Sequence, residues 1–251
     1  MQVAPVFDRV HPSHTGPNTV DMTRELVAQF IVRAGHRQVL DLPAGSGALT
    51  QRLLDAHIEV TPADLDPSAF VVPGKVCVRA DMHQPLPFPD GTFDGVACIE
   101  GIELIENPHL LAREANRVLK VGGRVYISTP NVLSMSSRLS YLLRGYPDQF
   151  QYMIDPDPQS GRDRSLAHIN PIGFLELRYV LAIAGFRVDL VETNRLMSKG
   201  SVLSRVLRLL MLTRGKRAAA SHPQVHAVRE WLLSDTVLFG ETLIIGAVKE
   251  T

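Results

Sequence analysis

Apolar positions along this chain fall into short runs separated by amphipathic stretches. From Thr19 to Ala34, Val20, Leu26, Val27, Phe30 and Ile31 recur at helical spacing, and Gly35 follows, so a helix is predicted to stop there. Gln38 to Leu42 is an apolar run of strand length, and Ala48 to about Ala56 returns to helical spacing. Further strands are predicted at Ile58–Ala63, Val76–Arg79, Gly95–Ile99, Arg124–Thr129, Phe186–Val191 and Leu238–Val248, the last broken by Gly240 and Gly246. A helix is predicted from about Pro108 to Leu119, with a turn at Lys120–Gly123 before the next strand. Another runs from Pro171 to Ala184, with Pro171 near its first turn and Gly185 at its end. Buried strands alternating with helices predict an α/β fold: a doubly wound, mostly parallel sheet with helices on both faces.

Two stretches stand outside this alternation. Residues 1–18 are polar, contain Pro5, Pro12 and Pro17, and are expected to form a flexible arm or one that folds over a ligand. Residues 131–170 hold one candidate helix, Leu133 to Leu143, followed by a stretch rich in Pro, Asp and Gln. An insertion there lies over the ligand edge of the sheet, so it is expected to cap a substrate. The 251 residues suffice for a single domain carrying such a cap.

The chemistry concentrates after the first strand, in Asp41-Leu42-Pro43-Ala44-Gly45-Ser46-Gly47. Gly45 and Gly47 let a ligand approach the backbone, and the N–H groups opening the next helix point at it. A dinucleotide site would show G-x-G-x-x-G; here Asp41 closes the strand, which would repel a pyrophosphate and suits an ammonium group. Asp64 and Asp81 close the second and third strands. Acids at successive strand ends suit a ligand with a cationic end, a ribose and a base, but no phosphate. Asp66 competes with Asp64 as the ribose acceptor; its expected role is to cap the turn begun by Pro67.

This pattern resembles the class I S-adenosylmethionine-dependent methyltransferases, with Pro43 where the family's first motif usually has a glycine. The run Leu-Pro-Phe-Pro-Asp-Gly-Thr-Phe-Asp at 86–94, followed by Arg-Val-Leu-Lys-Val-Gly-Gly at 117–123, carries the same resemblance more specifically. The resemblance implies S-adenosylmethionine as cofactor and a last strand inserted antiparallel beside the fifth. Asp41 and residues 43–47 (Pro43, Ala44, Gly45, Ser46, Gly47) would hold the methionine end, and Asp64 the ribose. Leu65 and Met82 would sandwich the adenine, Asp81 would accept its amine, and Ile99 and Glu100 would complete the site from the fourth strand.

Catalytic candidates are Glu100, Glu103 and His168. In the ubiquinone-pathway O-methyltransferases the stretch after the fourth strand reads Glu-x-x-Glu-His. The two acids, that His and a later His bind a divalent metal there. Glu100 and Glu103 match, Leu104 replaces the His, and His168 is the candidate for the later one, so Mg²⁺ is the candidate metal. Alternatively His168 alone acts as general base, since an imidazole titrates near neutrality. For each of the three a structural role remains open: helix-start acids for the glutamates, a cap-to-domain hydrogen bond for His168.

Composition narrows the partners. Net charge is zero, which argues against nucleic acid as the ligand, including the alternative of RNA 2′-O-methylation. Cys77 and Cys98 fall in predicted strands and read as core thiols in a reducing, cytoplasmic setting. There is no long uncharged apolar run and no N-terminal signal pattern, which argues against a spanning helix or secretion. Arg195 to Arg217 is rich in Arg and Lys, has no acid, and carries Val202, Leu203, Val206, Leu207, Leu209 and Leu210 on an apolar face. That is a basic amphipathic segment, either packed on the domain or docked on a membrane surface. The function expected is methyl transfer to a hydroxyl oxygen of a small metabolite, quinone precursor or sugar or lipid-linked glycan. A cofactor-binding protein without transfer is the alternative. The oligomeric state is not legible.

Overall fold

The computed structural model describes residues 19–150, 168–197 and 223–250. The predicted arm at 1–18, the second half of the predicted cap and all but the start of the basic segment lie outside the described residues. The centre is a seven-stranded sheet in the order β3-β2-β1-β4-β5-β7-β6. Its strands are β1 Gln38–Asp41, β2 Glu59–Asp64, β3 Val78–Arg79, β4 Phe93–Ile99, β5 Leu119–Pro130, β6 Phe186–Glu192 and β7 Thr242–Lys249. β1 to β5 pair in parallel, and β7 lies antiparallel between β5 and β6. Strand order reverses between β1 and β4, the point where open α/β sheets bind ligands beyond the carboxyl ends of their strands.

β1 and β4 read as continuous apolar runs because both their faces are covered. On one face Leu40, Leu42, Val96, Cys98, Val125 and Ile127 pack with Leu111 and Ala115 of α3 (Pro108–Val118) and Leu177 and Leu181 of α5 (Phe174–Ile183). On the other, Val39, Ala97, Ile99 and Tyr126 meet Val27 and Ile31 of α1 (Thr19–Arg33) and Leu49 and Leu53 of α2 (Ala48–Asp55). Each fully buried side chain of this kind contributes about 1.5–3 kcal/mol.

Several expected boundaries move, each for a local reason. Leu238 belongs to a short helix, α7 (Asp235–Phe239), which follows α6 (Pro223–Leu232); β7 begins only at Thr242. The Ser234 hydroxyl caps α7 by accepting from Val237 N, and Gly240 ends it where a Cβ would stand 2.2 Å from Thr236 O. Gly246 does not break β7; it gives room to Leu190 on β6. Pro171 precedes α5 rather than opening it, because Glu176 accepts from Gly173 N at 2.8 Å and sets the helix start there. β3 is only a dipeptide, since the crossover from β2 holds a single 3-10 turn, Pro67–Ala69, capped by Asp66 as expected. Cys77 therefore lies outside a strand and is half-buried, while Cys98 is buried; both are free thiols. Lys120 to Gly123 is an irregularity inside β5, where the pairing jumps from Phe93–Leu119 to Gly95–Arg124.

The proline-set turn at 85–91 is held by one side chain. Arg117 on α3 donates to Phe88 O at 2.7 Å, Leu86 O at 2.9 Å, Asp90 at 2.7 Å and both oxygens of Glu114. Asp94 likewise accepts from Arg37 N, Gln38 N and Lys120 Nζ, pinning the start of β4 to that of β1. Arg117→Ala is expected to lower unfolding free energy by about 2–3 kcal/mol through its charge-assisted hydrogen bonds. Urea denaturation checks this, and an unchanged midpoint would show that the turn holds without it.

Candidate cofactor and active site

The turn after β1 is shaped by close contact. Ala44 N donates to Ala63 O at 2.9 Å, tying the turn to β2. Gly45 and Gly47 have φ of +53° and +90°, which L side chains resist. At Gly47 a Cβ would stand 2.4 Å from Val72 and 2.6 Å from Phe70. Residues 70–72 thus wall the turn, with Val71 N donating to Ser46 O at 3.3 Å. Pro43 lies against Gly101, where a Cβ would come within 2.6 Å of its ring.

Three acids close adjacent strands around that turn. Asp64 accepts from Gly45 N at 2.8 Å and Asp66 N at 3.0 Å, so its carboxylate joins the turn to the β2 exit. Asp41 is only 2% exposed and accepts from the Thr50 hydroxyl at 2.6 Å. Burial pushes its pKa up to about 6, against the Thr50 bond and the positive charge of Arg24. Asp81 accepts from the backbone and ring nitrogens of His83, and the backbone bond is the main cause of its lowered pKa. Leu65 is exposed, Met82 packs half-buried against the core, and Ile99 is buried at the end of β4.

Glu100 stands at the centre of this edge. Its φ is +51°, its backbone N donates to the Ser128 hydroxyl at 3.0 Å, and that hydroxyl donates to its carboxylate at 2.8 Å. Burial raises its pKa to about 7, again opposed by Ser128 and Arg24. The positive charge of Arg24 on α1, a residue that no local motif marks, thus acts on both Asp41 and Glu100; Arg24 is paired with Asp21 at 3.2 Å, and α1 packs on α2, across which Arg52 reaches Asp21 and Glu25. The start of α1 is fastened over the edge by Asn194, which donates to Thr19 O at 3.2 Å. Arg195 is paired with Glu241, and Leu196 bridges Gly240, so the basic segment opens as extended chain.

The predicted metal site does not assemble. Among the described residues no three His, Cys, Asp or Glu side chains gather as metal ligands. Glu103 lies in a 3-10 turn, Ile102–Leu104, with 0% exposure and neither carboxylate oxygen hydrogen-bonded. Burial and the neighbouring Glu100 raise its pKa well above the usual carboxylate range, which favours the neutral form. Its backbone C=O instead accepts from Ile169 N and Asn170 N, anchoring the loop after the predicted cap. His168 packs its ring on the fully buried Phe150, centroids 5.5 Å apart, and burial lowers its pKa. Asn131 is also structural: its amide donates to Val237 O and Gly240 O and its oxygen accepts from Leu133 N.

A methyltransferase-domain family matches residues 40–127, the span from β1 to β5 that builds this edge. The chain is similar to the class I S-adenosylmethionine-dependent methyltransferases. It is 33% identical over 138 residues to the ubiquinone/menaquinone biosynthesis C-methyltransferase UbiE of Cellvibrio japonicus, covering 50% of this chain and 53% of that one. The demethylmenaquinone methyltransferase of Streptomyces griseus is 32% identical over 137 residues, covering 50% and 59%. The chain spans about half the length of the curated relatives it matches. Among solved structures, a SAM-dependent methyltransferase from Archaeoglobus fulgidus superposes with a TM-score of 0.57 at 22% identity, covering 90% and 94%. The [4+2]-cyclase SpnF shares the fold with a TM-score of 0.56 at 19% identity, covering 91% and 80%.

Asp41 yields a stability test. Its folded pKa lies above the ordinary value near 4, so the unfolded chain releases this proton first. Stability therefore falls as pH rises from about 4 to about 6 and stays lower above, by about 3 kcal/mol. Asp41→Asn is expected to raise the melting temperature of the ligand-free protein at pH 8, with the gain shrinking towards pH 4. Calorimetric scans at the two pH values check this; an equal change at both would show that the buried charge is not the cause.

Proposed function

We propose that this chain transfers a methyl group from S-adenosylmethionine to a small, ring-hydroxylated acceptor of the quinone-precursor kind. The observation that carries the reading is the set of acids closing β2, β1 and β4 around a glycine turn, with the charge of Arg24 acting on two of them. The residues fit the cofactor: a buried carboxyl for an ammonium group, a carboxylate at the β2 exit for a ribose, and a turn too tight for side chains. Asp41, Arg24 and residues 43–47 would hold the amino-acid end, Asp64 the ribose, and Asp81, Leu65 and Met82 the adenine. Arg24 supplies the cation for the carboxylate that the sequence motifs alone leave without a partner.

The sulfonium supplies an electrophilic methyl group, so the protein's tasks are to align the acceptor and take up a proton. Glu100, titrating at about 7, suits removal of a ring hydroxyl proton. Taking that proton activates both the oxygen and the adjacent ring carbons. The oxygen reading rests on the Glu100–Glu103 motif; the names of the relatives support carbon instead. Both share the same acceptor class and the same base.

Calorimetric titration with S-adenosylmethionine is expected to give micromolar affinity, reduced about tenfold or more by Arg24→Ala and by Asp64→Ala. Absence of binding would end the methyltransferase reading. Glu100→Gln is expected to leave that affinity nearly unchanged and lower kcat about 100-fold. In the unmodified protein the rate should rise with pH through about 7, as Glu100 loses its proton, and this rise should vanish in Glu100→Gln. NMR of the methylated product separates oxygen from carbon transfer.

A further inference from the structure

The carboxyl edge of the sheet ends differently on its two sides. Beyond β5 the chain runs on into α4 (Met135–Arg144); beyond β3 it makes only a tight turn, in which Gln84 N donates to Asp81 O at 3.0 Å. The start of that turn is tied to the β2 exit, because Asp64 pairs with Arg79 across the parallel ladder and Ala80 N donates to Asp64 O at 2.9 Å. Asp81 therefore stands one strand beyond the proposed ribose acceptor.

The Asp81 carboxylate is held by one oxygen. His83 N donates to Oδ1 at 2.9 Å, and the His83 ring Nδ1 lies 3.0 Å from the same atom. Among the described residues no donor reaches Oδ2, and the side chain is 38% exposed. The direction of the ring bond follows from charge. The hydrogen bond from His83 N is the main cause that holds the Asp81 pKa below the ordinary carboxylate range, so at neutral pH the carboxylate has no proton to give. Nδ1 is therefore the donor, in the neutral imidazole and in the cation alike.

The two bonds do different things. The main-chain bond would survive any side chain at position 83. A carboxylate turns easily about χ2, and one bond to one oxygen leaves that turn open. The imidazole bond is what the identity of residue 83 adds: it fixes the plane of the carboxylate and with it the direction of Oδ2. Arg79 also acts on Asp81, through charge that does not orient it. An exocyclic amine on an aromatic base presents its N–H groups in the plane of the ring, and an acceptor already oriented loses less freedom in meeting one.

We propose that His83 is a positioning residue for base recognition. By holding Oδ1 it keeps Oδ2 turned to accept from the 6-amino group of the adenine. This rests on the cofactor reading given above and goes one step further: the preference for the amine depends on a side chain that does not touch the base.

The test is calorimetric titration of the full chain with two probes, S-adenosylhomocysteine and its analogue with hydrogen in place of the 6-amino group. The unmodified protein is expected to prefer the amine about tenfold. His83→Ala should weaken S-adenosylhomocysteine binding about fivefold and leave the analogue unchanged, so that the preference shrinks by the same factor. His83→Asn carries Nδ2 on Cγ as His carries Nδ1, and should return the preference to within about twofold of the unmodified protein. The proposal is overturned if His83→Ala leaves the preference intact. It is overturned equally if that variant weakens both probes alike, which would make His83 structural only, or if His83→Asn falls as far as His83→Ala, which would assign the effect to the ring itself. No binding of S-adenosylhomocysteine to the unmodified protein would end this proposal and the cofactor reading together. Binding that Asp64→Ala weakens but His83→Ala does not would end this proposal alone.

Discussion

Three carboxyl groups wholly or half buried at one edge of the sheet set the terms for the rest of the molecule. For Asp41, Glu100 and Glu103 alike, burial is the largest cause of a raised pKa. Isolated burial of a carboxylate costs several kcal/mol, so each must be partnered, neutralised or both. Thr50 and Ser128 supply single hydroxyl bonds, and Arg24 supplies charge from a different element. The two apolar layers around β1 and β4 carry the stability that this edge lacks. The edge is left short of positive charge, which is the state in which a ligand with a cationic end gains most by binding.

The central strands were legible because a doubly covered parallel strand has a signature of its own, an apolar run without alternation. The glycine turn was legible because left-handed backbone and close approach exclude side chains at Gly45 and Gly47. Elsewhere, local signals competed. Around Leu238 the apolar run looked like one strand, yet the Ser234 cap makes its first part a helix. The wall of Phe70 and Val72 on Gly47 and the reach of Arg24 to the strand ends are tertiary facts, set by how the β2–β3 crossover and α1 fold back. No periodicity or spacing announces them.

The most specific family stretch turns out to report architecture. Arg117 spends its guanidinium on the turn at 86–90 and on Glu114, and Asp94 spends its carboxylate on two backbone amides and Lys120. Arg117 has no N–H left over for a substrate, and both carboxylate oxygens of Asp94 are engaged. Such residues identify a fold with high specificity while saying little of its chemistry. SpnF, a cyclase by its name, shares the same fold. The chemistry has to be argued from the strand ends, where polar groups are buried beyond what the fold requires.

At those ends the two glutamates divide the work in a way their spacing does not reveal. Glu103 is fully buried in its 3-10 turn and its carboxylate oxygens find no hydrogen bond. Neighbouring acids that cannot both ionise separate their titrations. Glu103, sealed from solvent, holds its proton the more strongly, and Glu100, bonded to Ser128 and favoured by the charge of Arg24, is the one that loses its own more readily. A pair that would be two metal ligands in the motif's usual setting is here one fully buried acid in the core and one half-buried carboxyl at the edge. The same physical logic separates acid from base wherever environment pushes two carboxyl groups apart. Burial thus settles what spacing does not: it decides which of the two acids faces the chemistry.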